Sequence, residues 1–156
     1  MQLTVISPGK TKKDYLAAAI ADFLKRLNAS IRCITIYTRE IPARAKTPDR
    51  LILEQEGRAL LAKVEMPTLL VALDRQGRQY SSEEMAQLLG RWEEEGRRSI
   101  TFLIGGHLGL SGQVLDRADM LLSFSRMTFT HEMTRLLLLE QLYRACTIRQ
   151  GTGYHK

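Results

Sequence analysis

The sequence predicts an α/β fold in which a mostly parallel sheet is covered by helices on both faces. Three observations carry that expectation. Short β-branched or apolar runs alternate with longer helical patterns along the whole chain. The strand runs carry polar residues on one side or on neither, as strands buried on both faces do. And 156 residues are enough for one buried core, with no linker-like stretch or internal repeat to divide them. One domain over residues 1–156 is therefore expected, with 151–156 as a functional C-terminal tail.

The elements follow in order. Residues 2–7 alternate and are β-branched, 32–38 alternate Ile, Thr and Tyr, and 68–73 are almost continuously apolar; these are predicted strands. Residues 99–104 and 120–124 make a fourth and a fifth. Helix starts are signalled by Thr11 with Asp14 three residues on, by Thr47 followed by Pro48, and by Ser81 with Glu84. A last, long helix follows Thr130. Its stripe of Met133, Leu136, Leu137, Leu139, Leu142 and Tyr143 is too broad for one sheet face and is expected to pack partly on a second copy of the chain. Trp92 is read as a packing residue.

Composition narrows the class of function. The chain has 23 Lys and Arg against 17 Asp and Glu. The first 50 residues hold ten of the bases and four of the acids, which accounts for the whole net charge of +6. Such a one-sided basic field suits a polyanion, since neutralising phosphates releases counterions. The basic loop 39–46 is a candidate for RNA contact. No apolar run approaches a membrane span and no secretory signal pattern opens the chain, so a cytoplasmic protein with no membrane association is expected. Cys33 and Cys146 sit in apolar segments and read as small buried hydrophobes, and no metal site is expected.

Familiar motifs are mostly missing. Pro8-Gly9-Lys10-Thr11 lacks the spacing of a phosphate loop, and Gly105-Gly106-His107-Leu108-Gly109 does not fit a dinucleotide fingerprint. In open α/β sheets, ligands bind beyond the carboxyl ends of the strands. The loops after strands three, four and five (73–77, 105–110 and 125–130) are thus the place to look. Gly105 and Gly106 let a ligand approach the backbone, and Leu73, Ile104, Leu108, Leu110, Met127 and Phe129 supply apolar walls.

Four segments together carry a resemblance: Leu-Ile-Gly-Gly-x-x-Gly-Leu at 103–110, Leu-Ser-Phe-Ser-Arg-Met-Thr-Phe-x-His-x-x-x-Arg at 122–135, Glu-Gln-Leu-Tyr-Arg-Ala at 140–145, and the terminal Tyr-His-Lys. This pattern is similar to that of the SPOUT superfamily of S-adenosylmethionine-dependent RNA methyltransferases, and it extends over nearly the whole chain. The resemblance implies a trefoil-knotted α/β fold and a homodimer. It implies S-adenosyl-L-methionine as cofactor and methylation of N3 of a pseudouridine in the helix 69 stem-loop of 23S rRNA, within the assembled 70S ribosome. Cofactor contacts would fall to Leu73, Gly105, Phe124, Ser125, Arg126, Met127, Thr128 and Phe129. Where many relatives carry proline before the histidine, this chain has Thr130, whose hydroxyl can cap the last helix.

An imide N3–H is a weak acid, so transfer to it needs help in removing the proton or in stabilising the anion. The candidates are His131, next to a helix start that favours the neutral imidazole, Arg144, Tyr154 and His155. Arg135 is expected to pair with Glu132 or Glu140 instead. The tail of one subunit is expected to complete the site of the other, with Tyr154 stacking on an extruded base. A rival reading keeps the fold and drops the chemistry: a non-catalytic module binding RNA or a nucleotide.

Overall fold

The computed structural model describes residues 1–42 and 47–155, and of His155 the backbone alone. Arg44 and Lys46 of the basic loop, and the side chain of His155, therefore lie outside the described residues.

Five strands, β1 (Gln2–Pro8), β2 (Arg32–Thr38), β3 (Leu69–Gln79), β4 (Ser99–Ile104) and β5 (Met120–Ser123), form one sheet in the order β2-β1-β4-β3-β5. Every neighbouring pair is parallel. Helices α1 (Asp14–Asn28), α2 (Asp49–Leu61), α3 (Ser82–Glu94), α4 (Gly112–Arg117) and α5 (His131–Arg149) make the connections, and a 3-10 turn (Gly153–His155) ends the chain. The predicted α/β architecture with a parallel sheet is the observed one.

The period of two along each strand sorts the core into two halves. Leu3, Val5, Val71, Ile100 and Phe102 face α1, α3 and α5, while Ile6, Leu70, Ala72 and Leu103 face α2 and α4. Both faces are covered, as the doubly apolar strands require. Leu138, Leu139 and Leu142 of α5 are fully buried, each stabilising the fold by roughly 1.5–3 kcal/mol. Because α5 packs on both α1 and α3 as well as on the sheet, much of its apolar breadth is used within one chain. Trp92 lies buried beside Phe102, and both cysteines are buried and free. Burial pushes the Cys33 thiol up to about 12.

Two local expectations need correction. Of the three predicted helix starts, only Ser81 closes a capping box, accepting from Glu84 N while the Glu84 carboxylate accepts from Ser81 N. Thr11 caps nothing: α1 begins at Asp14, and the Thr11 hydroxyl accepts from Arg135 on α5. Thr47 likewise makes no cap, for α2 begins at Asp49 behind Pro48. The third strand also runs beyond Leu73. A bulge at 74–77 places both Leu73 and Arg78 opposite Leu122. Gly77 lies so near the Leu121–Leu122 peptide that a Cβ there would stand 2.6 Å from the Leu121 carbonyl carbon.

Candidate functional site

The carboxyl ends of β3, β4 and β5 enclose a cleft of about 360 Å³. Its apolar lining comes from the strand ends Leu73, Ile104 and Leu122 together with Leu110 and Phe129. Its other side is backbone. The turn after β4 folds back on itself, with Gly109 N donating to Gly106 O at 3.1 Å and Gly109 at φ 86°. A Cβ on Gly105 would lie 2.3 Å from Gly109 C, so only glycine allows this close return. The loop after β5 is held by its own serines and threonine. Ser123 Oγ donates to Ser125 O at 3.0 Å, Met127 N donates to Ser125 Oγ at 3.0 Å, and Thr130 caps α5 by accepting from Met133 N at 3.2 Å.

Of the residues predicted to contact a cofactor, Leu73, Gly105, Phe124, Ser125, Met127, Thr128 and Phe129 all line this cleft, and so does His131. Arg126 does not. It lines a neighbouring depression with Arg75, Gln76, Gly77 and Gln79. His107, within the glycine turn, is also on the cleft wall.

His131 opens α5 at the junction of the cleft with the loops after β1 and β2. Its Nε2 is buried and has no hydrogen-bond partner among the described residues. Burial, reinforced by the Arg135 charge, holds the imidazole below its ordinary value of 6.5 despite Glu40 and Glu132 nearby. The neutral ring is therefore favoured, as expected, though the main cause is desolvation. Lys12 ties this corner together: its Nζ reaches Glu40 at 2.6 Å and its backbone N–H donates to Glu132 at 2.7 Å. That ion pair holds the Glu40 carboxyl below its usual range.

Arg135 corrects its expected role. It pairs with neither Glu132 nor Glu140 through a salt bridge. Its fully buried guanidinium donates to Ser7 Oγ at 2.7 and 3.0 Å, to Gly9 O at 2.9 Å and to the Thr11 hydroxyl, beneath the Tyr37 ring at 4.6 Å.

Arg144 and Tyr154 stand apart. Arg144 lies more than three turns beyond His131 on α5, about 20 Å along the axis. There it pairs with Glu140 at 2.5 Å, and its guanidinium stacks 5.0 Å over the Tyr154 ring. Tyr154 meets Tyr143 edge-on at 4.8 Å. The tail is anchored to α5 by Thr152, whose N–H and hydroxyl both donate to Thr147 O. One chain thus places these two residues together but does not bring them to the cleft.

The burial of two charges, Glu56 and Arg135, escaped sequence reasoning. Glu56 is 2% exposed, accepts from Ile41 N at 3.2 Å, and leaves Oε2 without a partner among the described residues, where a Cβ on Gly106 would lie 2.4 Å from it. Burial pushes its carboxyl up. Both Glu56 and Arg135 occupy positions on the apolar stripe of their helices, between Ile52 and Leu60 and just before Leu138 and Leu139. A charge at a core register was the readable signal.

Comparison with known proteins decides the family. The family model described as "Predicted SPOUT methyltransferase" matches residues 1–155. The chain belongs to the SPOUT methyltransferase family. Within that family it is 47% identical over 156 residues to Ribosomal RNA large subunit methyltransferase H of Desulfotalea psychrophila, covering 100% of both chains. The protein of the same name from Pelotomaculum thermopropionicum is also 47% identical over 156 residues, 98% of each. Among solved structures, a probable methyltransferase from Bordetella pertussis Tohama I superposes with a TM-score of 0.59 at 14% identity, over 93% of this chain and 96% of that one. That likeness is one of fold. The cleft just described is thus the carboxyl-end cleft of a SPOUT chain, and no helix among the described residues is long and apolar enough to cross a membrane.

Proposed function

We propose that this chain is an S-adenosyl-L-methionine-dependent 23S rRNA methyltransferase acting on N3 of a pseudouridine in helix 69 of the assembled 70S ribosome. The observation that carries the reading is the cleft at the ends of β3, β4 and β5, in a SPOUT chain 47% identical over its full length to large-subunit rRNA methyltransferases.

The residues fit the cofactor. A space of about 360 Å³ lies in the range of small-ligand sites. Its return turn at Gly105–Gly109 leaves no room for a Cβ at Gly105, so backbone amides and carbonyls are open to an adenine edge. Leu73, Ile104, Leu122 and Phe129 offer apolar contact and exclude water. When bound, the cofactor supplies an electrophilic methyl group on a sulfonium.

What the chain does is position and deprotonate. The serine-pinned loop 123–130 sets the wall against which the donor lies. His131 lines the cleft with its neutral form favoured, and would take the N3 proton directly or through a water. Arg144, Tyr154 and His155 belong to the same proposal as a composite site: Arg144 stands about 20 Å along α5 from His131 in one chain, with Tyr154 stacked on it, so the three would serve the cleft of a homodimer mate. Tyr154 would stack on the target base and Arg144 would balance its developing anion. Support for the dimer comes from the half-buried Met133 and Leu137 of α5 and the exposed Phe129. The trefoil knot, the single-domain organisation and a cytoplasmic location complete the reading. The match to the SPOUT family over residues 1–155 supports the knot.

The test is transfer of labelled methyl from S-adenosylmethionine to ribosomes from cells lacking this protein, with mass spectrometry of the digested nucleosides. Label in N3-methylpseudouridine from 23S rRNA is the expected result. Cofactor binding without ribosomal label overturns the target; absence of both moves the chain to the non-catalytic binding class.

A further inference from the structure

Arg75 and Arg126 share an open depression of about 600 Å³ beside the cleft. Its other lining residues are Gln76, Gly77 and Gln79, so no carboxylate among the described residues lines it. Both arginines are exposed, and among the described residues neither is in a salt bridge or stacked on an aromatic ring. In this they differ from Arg26, Arg50, Arg97, Arg144 and Arg149, all of which are paired.

Their backbones are nonetheless fixed. Arg75 O accepts from Ser123 Oγ at 3.3 Å, Gln76 N donates to Asp74 Oδ1 at 2.8 Å, and Gly77 is wedged against the β5 backbone. Arg126 lies inside the serine turn closed by Met127 N and Ser125 Oγ. Two guanidiniums with free forks, carried on rigid turns and flanked by amides, form a prepared anion contact, and a planar fork matches a phosphate bidentately. Arg75 also lines the cleft, which makes the depression continuous with it. A strand whose base enters the cleft must carry its backbone past this mouth.

We propose that Arg75 and Arg126 grip the phosphodiester backbone of the RNA strand at the mouth of the cleft, and that the Arg126 side chain serves the RNA and not the cofactor. This rests on the RNA-substrate reading above and adds to it the place where the strand is held. Gln76 and Gln79 are positioned to donate to the same backbone or to a ribose hydroxyl.

The experiment uses the full chain and the Arg75→Ala/Arg126→Ala double variant, with a fluorescein-labelled oligouridine as the probe. Binding is followed by anisotropy over a salt series, S-adenosylmethionine affinity by calorimetry, and assembly by sedimentation. Two lost phosphate contacts make the slope of log K against log salt shallower by about 1.4 and weaken binding at low salt by roughly tenfold. Cofactor affinity and sedimentation stay as in the parent. The Arg75→Lys/Arg126→Lys variant, which keeps the charges, recovers most of the slope, and Arg97→Ala, remote and paired with Glu95, leaves it unchanged. An unchanged slope in the alanine variant overturns the proposal. So does a loss of cofactor affinity at constant slope, which would return Arg126 to the cofactor, or a smaller sedimenting species, which would assign the pair to a subunit contact. If the parent chain methylates no ribosomes while the slope still falls, the pseudouridine reading fails and the RNA contact stands.

Discussion

Replacing Arg135 by methionine tests how the end of β1 is joined to α5. The guanidinium is fully buried with no ion-pair partner among the described residues, and it donates to Ser7 Oγ, Pro8 O, Gly9 O and the Thr11 hydroxyl. Methionine keeps the apolar stem and removes every donor. Thr11 is half-buried and can turn to water, whereas Ser7 is fully buried. Gly9 O, also on a half-buried residue, can do the same; the two stranded acceptors are Ser7 Oγ and the buried Pro8 O, which cost about 1–3 kcal/mol each. Removing an uncompensated buried charge returns part of that, because its desolvation was itself unfavourable. The balance is a loss of about 3 kcal/mol, or roughly 9 °C in Tm for a chain of this size. Urea unfolding at fixed protein concentration reads the first figure and calorimetry the second. A second readout is local: Arg135 helps to hold the His131 imidazole down, so in Arg135→Met the ring titrates closer to its ordinary value by NMR. A variant within about 0.5 kcal/mol of the parent, an ordinary surface-substitution effect, with His131 unmoved, would refute the reasoning.

Other outcomes follow from the same geometry. Gly105→Ala pushes a Cβ to 2.3 Å from Gly109 C; S-adenosylmethionine affinity should fall by at least about tenfold, read by calorimetry, with the far-ultraviolet spectrum retained. Deleting residues 153–156 should abolish methyl transfer while leaving cofactor affinity and sedimentation nearly unchanged; normal turnover would remove the tail from the site. Burial raises the Glu56 carboxyl, so the folded chain holds its proton more tightly than the unfolded one. Its contribution is present below the ordinary 4.5 and is lost as pH rises through the raised folded value. Glu56→Gln should therefore be the more stable protein at about pH 8 and lose that advantage at about pH 4, as urea midpoints would show.

The alternation of strands and helices was legible because each strand has a distinctive residue set and β1, β4 and the first half of β3 are buried on both faces. Beyond Leu73 the text turns polar, Asp-Arg-Gln-Gly-Arg-Gln, and yet β3 continues. Pairing there runs through backbone alone, which leaves no side-chain pattern to read. Thr11 had the spacing of a helix cap, but its oxygen was claimed by an arginine 124 positions away, a competition that local sequence cannot display. The cleft residues were legible through Gly105, Gly106 and the Ser-rich loop. Missing from the text was the distance between His131 and Arg144, which depends on α5 running unbroken from one to the other. The side-chain direction of Arg126 was equally hidden, since adjacent loop residues face different ways only once the serine turn has formed.

All five strands point the same way, so every loop that leaves a carboxyl end arrives at one rim of the sheet. Lys10 and Lys12 after β1, Arg39 after β2, the glycine turn after β4 and the serine turn after β5 are scattered over the sequence and gathered along that rim. The opposite rim carries the return turns at 29–31, 62–68, 95–98 and 118–119, together with Met1 and the end of α5 where Arg149 pairs with Glu93. An engineer attaching the protein to a surface, or inserting a reporter loop, has a natural handle there: the Gly96 turn has open space around it and leaves the working rim facing solution.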